Sequence, residues 1–446
     1  MSATREEWGT SAGFVLASIG SAVGIGNIWR FAYVAGENGG GAFLVVYLLS
    51  VILVGLPIVV AEMAMGRRGG RDAIAAFAHA GPRSAWRHAG WVSVLGCMLI
   101  LSFYAVIAGW ALKYFVGAAT GGLWMHARGG FGGYFQSFIA NRGEPLGWQL
   151  AMMALTMYVV AGGVRKGIEK VNHYLMPLLS ICVIALAVYA ATLPGSSAGW
   201  RFLFVPDWKA VTSPHVFVAA VGQAFFSLGV GMAIFITYAS YLGPNTRIPR
   251  SAVAIAAGDT LFAIVAGLAI FPAVFAFGMD PKAGPELAFI TLPQIFISMP
   301  GGWLIAPVFF GLLVAAALTS MVSLLEVPVS AAVTRTRMRR PTAVSVVGLA
   351  VFVIGIPSGL SFGILADVRI FGLEVLDAVD KAVSDYLLPL GGILVCLHVG
   401  WYMKRERALE AAGLDNRRIG TVWLWLLRVF APLTIVVIVR DAINGS

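Results

Sequence analysis

The chain has 446 residues, of which 59% are hydrophobic and 12% charged, and its mean hydropathy is +0.85. That is too little polar surface to cover a water-soluble core, and apolar runs of about 18 residues or more recur along nearly the whole length, as in a polytopic helical membrane protein. A formal net charge of +10 would suggest nucleic acid in a soluble domain. Here the basic residues sit in short loops between apolar runs, so membrane topology accounts for them and no nucleic-acid partner is expected.

Eleven spans are predicted, near 13–34, 42–65, 90–118, 148–163, 173–193, 215–240, 251–278, 303–332, 342–360, 382–402 and 421–439. The first run, from Gly13 to Tyr33, follows the mixed-charge MSATREEW and precedes a glycine-rich turn rather than a small-residue cleavage site, so it reads as part of the mature fold. Arg67, Arg68, Arg71, Arg83 and Arg87 follow span two, and Arg165, Lys166 and Lys170 follow span four. Arg247 and Arg250 follow span six, Arg335, Arg337, Arg339 and Arg340 span eight, and Lys404, Arg405, Arg407, Arg417 and Arg418 span ten. Alternate loops carry far fewer basic residues. The distribution predicts an inner-membrane protein with a cytoplasmic N-terminus and, the count being odd, an external C-terminus. Of the external segments, 120–147 reads as an irregular loop. The stretch 277–302 mixes proline, glycine and apolar periodicity, which predicts two short helices packed back onto the bundle as a lid over a vestibule.

Cys97, Cys182 and Cys396 stand singly in separate apolar segments, and the six histidines are scattered. Neither pattern offers a disulfide framework or a zinc site. Acidic residues deep in spans are few and separate, chiefly Glu62, Asp259 and Glu326, so the chain shows no cluster for enzyme chemistry.

Two spans carry helix-weakening residues. The first reads GSAVGIGNIWR, with Gly20, Gly24 and Gly26; the sixth reads AVGQAFFSLGVGMAIF, with Gly222, Gly229 and Gly231. Within a bilayer, breaks survive where they line a cavity or bind something. Interrupted segments at corresponding places in two halves, here 13–193 and 215–402 with 421–439 as an extra helix, point to the binding site of an inverted-repeat transporter. Gly20-x-x-x-Gly24 also fits close helix packing, which leaves Asn27 and Arg30 without a role.

The stretch REEWGTSAGFVLASIGSAVGIGNIWRFAYVAGENGGGAF resembles the first-span signature of the neurotransmitter:sodium symporter family. Further likenesses are VGLPIVVAEMAMGRRGG after span two, GQAFFSLGVGM and ITYASY in span six, and LTSMVSLLE in span eight. They run from about residue 5 to 440, and the eleven-span count is similar to the bacterial branch, which includes the leucine transporter. The resemblance implies a single all-α transporter domain over 1–446 with two inverted five-helix repeats, helices one and six unwound in mid-membrane. It also implies sodium-coupled import of an amino acid by alternating access, by a monomer or weak dimer.

By the same resemblance, the substrate carboxylate would lie against the backbone of Ala22, Gly24 and Gly26 with the Tyr104 hydroxyl as a further donor. One sodium site would comprise Ala22, Asn27, Ser227, Asp259 and that carboxylate. A second would use the carbonyls of Gly20, Val23 and Ala316 and the hydroxyls of Thr319 and Ser320. These are hard oxygen ligands, as an alkali cation prefers. Ile100, Tyr104, Phe226, Ser227, Gly229, Met232, Ser320 and Leu324 would line the substrate. Arg30 and Asp380 would form an external gating ion pair above Tyr104 and Phe226, while Arg5 and Trp8 match the cytoplasmic gate.

Four departures refine this picture. Asp259 stands where the leucine transporter has asparagine; with the substrate carboxylate it would balance two sodium ions, so no chloride is expected. Gly24 replaces the acidic residue with which monoamine transporters bind an amine, favouring a substrate with its own carboxylate. Gly229 replaces a hydroxyl residue that contacts the amine, and flexible Met232 suits a larger side chain. Leucine, methionine or an aromatic amino acid is therefore expected; a GABA- or taurine-like substrate, or an amino-acid sensor without transport, is the alternative. Lastly, Thr334 occupies the position of the acidic partner of Arg5.

Overall fold

The computed structural model of the chain describes residues 6–69, 72–78, 85–126, 130–243, 246–281, 287–414 and 416–444. Each of the eleven predicted windows carries helix. Among the described residues, eight helices are long and apolar enough to cross a membrane, and a ninth crossing comes from the bent pair Ser11–Ala22 and Gly26–Glu37. The remaining two windows hold Glu144–Ala161 and the broken pair Pro214–Leu228 and Ile234–Ser240. Among the described residues the only β pairing is an isolated bridge between Ile370 and Leu373.

Layering follows from composition along each helix. The two 35-residue helices Trp86–Thr120 and Gly302–Thr336 (spans three and eight) form the most extensive helix pair of the molecule. Their apolar windows are 78% buried, against 22% for Val164–Ala191 (span five). Leu178, Ile181, Ile184 and Val188 of span five are exposed at spacings of three and four, the stripe of a helix turned toward acyl chains. Small residues let the central pair approach other backbones: a Cβ on Gly109 would lie 2.7 Å from Gln149 N.

Three expectations about the connections change. The 120–147 segment is largely helical, with Gly122–His126 and Phe131–Ile139; Phe131, Phe135 and Phe138 are buried at i, i+4 and i+7, and that face overrides the low helix propensity of its glycines. In 277–302 the described residues contain a single short helix, Thr291–Ser298, rather than two. Ahead of it Phe289 is 1% exposed, its ring stacked on Phe135 at 5.5 Å and edge-on to Trp110 at 5.9 Å. Short helices also occupy Ser197–Phe204 and Arg405–Ala412, outside the predicted windows.

Candidate functional site

Both glycine-marked breaks exist. Ser11–Ala22 ends at Val23, whose φ −72° and ψ 95° leave the helix, and the axis resumes from Gly26 at a bend of 53°. In span six, Gly229 (φ 64°), Gly231 (φ 89°) and Ala233 (φ 58°) take left-handed backbone between the two half-helices. Gly231 tolerates no side chain: a Cβ would stand 2.4 Å from Leu388 O. Its N–H donates to Glu62 Oε1 at 2.6 Å. Half-helix ends aim their unpaired amides and carbonyls into the gap.

Between the breaks lies a small cavity of about 40 Å³, room for a few waters. Ser21, Ala22, Gly24, Gly26, Asn27, Ile100, Tyr104, Phe226, Ser227, Gly229, Met232, Ile234, Ser320 and Leu324 line it. Every residue expected to line the substrate is present. Ser21 and Ile234 are additions, and Ile234 could have been anticipated as the first residue of the second half-helix. The Tyr104 hydroxyl accepts from Ile25 N at 2.9 Å and is also hydrogen-bonded with the Ser320 side chain. A Cβ on Gly24 would come within 2.5 Å of Ser320 Oγ and 2.8 Å of Tyr104 OH. No ionisable carboxylate or ammonium side chain lines the cavity.

Beside it Asn27, Ser227 and Asp259 form one cluster. Asn27 Nδ2 donates to Asp259 Oδ1 at 2.6 Å and to Ser227 Oγ at 3.0 Å, and Ser227 Oγ donates to Asp259 Oδ2 at 2.8 Å. Asn27 Oδ1 accepts from Gly24 N at 3.0 Å. Asp259 is fully buried, and no lysine or arginine among the described residues forms an ion pair with it. A buried carboxylate with hydroxyl and amide neighbours and no counter-cation is a donor set that fits a hard cation. Across the cavity, Thr319 Oγ1 donates to Ala316 O at 2.9 Å and lies 3.4 Å from Val23 O, while Ser320 Oγ donates to Ser21 O at 3.0 Å. These hydroxyls converge on the carbonyls where the first helix stops, again an all-oxygen set. Gly20 packs below them, the position of a Cβ on it lying 1.9 Å from Asn172 Oδ1.

Outside the cavity is a vestibule of about 310 Å³ lined by residues including Trp29, Arg30, Tyr33, Trp110, Phe135, Asp377 and Asp380. Gly26, Tyr104 and Phe226 border both spaces, so Phe226 and Tyr104 form the partition. Arg30 and Asp380 share the vestibule but are not an ion pair. Instead the Arg30 guanidinium sits 4.5 Å from the Phe226 ring centroid and donates to Gln223 Oε1 at 3.1 Å, and Gln223 Nε2 donates to Gly26 O at 3.2 Å. Asp380 accepts from Ser384 Oγ at 2.9 Å. Cation–π contact and an amide hydrogen bond hold the arginine on the partition, short of a direct salt bridge to Asp380. Gln223, one turn before Ser227, was not singled out from sequence.

On the opposite side, Trp8 Nε1 donates to Tyr238 O at 2.8 Å and its ring meets Tyr238 edge-on at 5.1 Å. Arg5 lies outside the described residues.

The model of the sodium:neurotransmitter symporter family matches residues 5–130 and 134–445. An uncharacterized sodium-dependent transporter of Bacillus subtilis is 42% identical over 444 residues, covering 98% of each chain. Another such transporter, from Haemophilus influenzae, is 32% identical over 97% of each chain. Among solved structures, MhsT in complex with L-phenylalanine superposes with a TM-score of 0.92 at 49% identity, over 98% of this chain and 100% of that one. The chain is thus a multi-pass membrane transporter rather than an enzyme, and it belongs to the sodium:neurotransmitter symporter family.

Proposed function

We propose that this protein imports a hydrophobic or aromatic L-amino acid together with sodium by alternating access, and that it needs no chloride. The observation that carries the reading is the buried Asp259, tied to Asn27 and Ser227 and without a cationic partner, beside a cavity between two broken helices. A first sodium ion would take Ala22 O, Asn27, Ser227 and Asp259 as ligands, with the substrate carboxylate completing the shell and so coupling ion to substrate. A second would take the carbonyls of Gly20, Val23 and Ala316 and the hydroxyls of Thr319 and Ser320. Asp259 and the substrate carboxylate then largely balance the two cations, so chloride is not needed for that role.

The substrate class follows from the lining. Gly24 brings no carboxylate to hold an amine, whereas the amides around Ala22 to Gly26 and the Tyr104 hydroxyl suit a carboxylate. Ile100, Phe226, Met232 and Leu324 offer an apolar, adaptable wall, and the similar MhsT was solved in complex with L-phenylalanine. The cavity is smaller than such a side chain, so binding would displace Phe226 or Met232. The basic loops orient the N-terminus to the cytoplasm and the C-terminus outside, in the inner membrane. The halves 13–193 and 215–402 act as inverted repeats, with 277–302 covering the vestibule and 421–439 outside the repeat. At about 100 mV and a tenfold sodium gradient, two ions per zwitterion supply about 7 kcal/mol, enough for roughly 10⁵-fold accumulation.

The test is uptake of L-phenylalanine and L-leucine into proteoliposomes under an inward sodium gradient. Concentrative uptake that survives replacement of chloride by gluconate within about twofold is expected. Collapse in gluconate overturns the charge balance assigned to Asp259, uptake of GABA or taurine but of neither amino acid overturns the substrate class, and sodium-dependent binding without accumulation makes the protein a sensor.

A further inference from the structure

The loop between spans nine and ten carries a short hairpin. Ile370 N donates to Leu373 O at 2.9 Å and Leu373 N to Ile370 O at 3.1 Å, closing a two-residue turn in which Phe371 (φ 53°) and Gly372 (φ 81°) both take positive φ. Turns of this kind favour asparagine, aspartate or glycine at both places, and a bulky residue rarely adopts that backbone. Arg369 Nη1 braces the base of the hairpin on Glu374 Oε1 at 2.8 Å. Phe371 is 100% exposed. A braced turn that presents a large apolar side chain in an uncommon conformation, wholly clear of the fold, needs a partner outside the fold to explain it.

Beside the hairpin runs a groove of about 880 Å³, walled by Leu99 of span three and by Ala378, Val379, Lys381, Ala382 and Tyr386 of span ten, which is helical from Val375 to Tyr402. Trp91 and Leu95, eight and four residues before Leu99, are exposed, so the groove continues a stripe of span three turned toward acyl chains. Its inner end is near the depth of the substrate cavity, because Leu99 precedes Tyr104 by five residues, about 7.5 Å along the helix. Lys381 is the charged residue in its wall. Lys381 Nζ meets Asp385 Oδ2 at 3.1 Å with about a third of each side chain exposed; such a surface pair holds weakly, and an ammonium has three donors to share. Within the same two turns of helix, Asp377 and Asp380 line the vestibule.

We propose that this groove is a binding site for one phospholipid of the leaflet on the vestibule side. An acyl chain lies along Leu99, Val379 and Ala382, the phosphate meets Lys381, and Phe371 covers the outer end with its ring among the acyl chains instead of in water. An apolar trough that starts near mid-membrane and carries a cation toward its outer end has the order of a phospholipid, acyl chain inward and phosphate outward. The bound lipid backs the turns of span ten that carry Asp377 and Asp380, so it supports one wall of the vestibule.

The test reconstitutes the full chain into vesicles of phosphatidylethanolamine and phosphatidylglycerol that contain a phosphatidylglycerol with a diazirine midway along one acyl chain. After irradiation, mass spectrometry maps the adducts. Peptides carrying Leu99 and residues 370–386 are expected to be labelled about tenfold or more above the stripe of Leu178, Ile181, Ile184 and Val188 on span five, which samples ordinary surrounding lipid. Lys381→Gln is expected to lower that excess about fivefold. Ala378→Trp, which fills the groove, is expected to bring it to the level of span five, and either variant carries the test if the other does not fold. Parent labelling within about twofold of span five overturns the site. An excess that survives Ala378→Trp places the lipid elsewhere and overturns it too, while one that survives Lys381→Gln removes the phosphate contact. Phe371→Cys chains that form disulfide-linked dimers in these vesicles, with no lipid label in the groove, would give this face to a second copy and overturn the lipid assignment.

Discussion

Asp259→Asn separates the sodium role of this carboxylate from a structural one, because the two predict opposite signs. Asp259 is fully buried, and among the described residues its carboxylate accepts hydrogen bonds from Asn27 and Ser227 alone. Without a cation its charge is desolvated and poorly compensated, so removing it stabilises the ion-free fold. With a cation about 4 Å away, the attraction at an effective dielectric constant of about 20 is about 4 kcal/mol. Asparagine keeps an oxygen ligand but only a dipole, and part of the lost attraction is offset by the desolvation no longer incurred. A net loss of about 2 kcal/mol remains, a roughly 30-fold weaker sodium affinity. The assay is a thermal melt of the purified protein titrated with sodium chloride at constant ionic strength, with potassium as the replacement. The variant is expected to melt at or above the parent in potassium and to need about 30-fold more sodium for the same upward shift. A sodium midpoint within about threefold of the parent refutes the assignment of Asp259 as a ligand; a lower melting temperature in potassium shows that its hydrogen bonds outweigh its charge.

Two further substitutions address the substrate cavity. Tyr104→Phe leaves the Ile25 N–H without its 2.9 Å partner and removes the donor proposed for the substrate carboxylate. At about 1–2 kcal/mol per lost hydrogen bond, KM for L-phenylalanine uptake is expected to rise about five- to thirtyfold, and an unchanged KM would remove Tyr104 from the binding site. Gly24→Ala places a methyl group 2.5 Å from Ser320 Oγ and 2.8 Å from Tyr104 OH. Overpacking of about 1–3 kcal/mol should weaken substrate affinity, read from the substrate concentration needed for thermal stabilisation, about 5- to 150-fold, whereas parental affinity would mean that the carboxylate does not lie against Gly24.

The eleven windows and the two breaks were readable because each is local: apolar length sets a span, and clustered glycines in a low-water environment mark where a helix stops. The Phe131–Ile139 helix was equally local, yet its glycines hid the i, i+4, i+7 aromatic face that packs it down. The family resemblance also named nearly the whole cavity, since it places together residues such as Gly24, Ser227 and Ser320 that lie on three separate spans.

Charge partners were another matter. Arg30 was expected to pair with Asp380; it shares the vestibule with that carboxylate but rests on Phe226 and Gln223, and Arg340 pairs with Glu326, a partner not named from sequence. Long side chains reach any of several neighbours once helices are packed, and small differences in crossing geometry choose among them. By itself, then, the sequence determined a bundle of apolar helices with two broken spans. Which cation meets which carboxylate at the two mouths was decided only by the tertiary structure, because that choice depends on distances between helices and not on order along the chain.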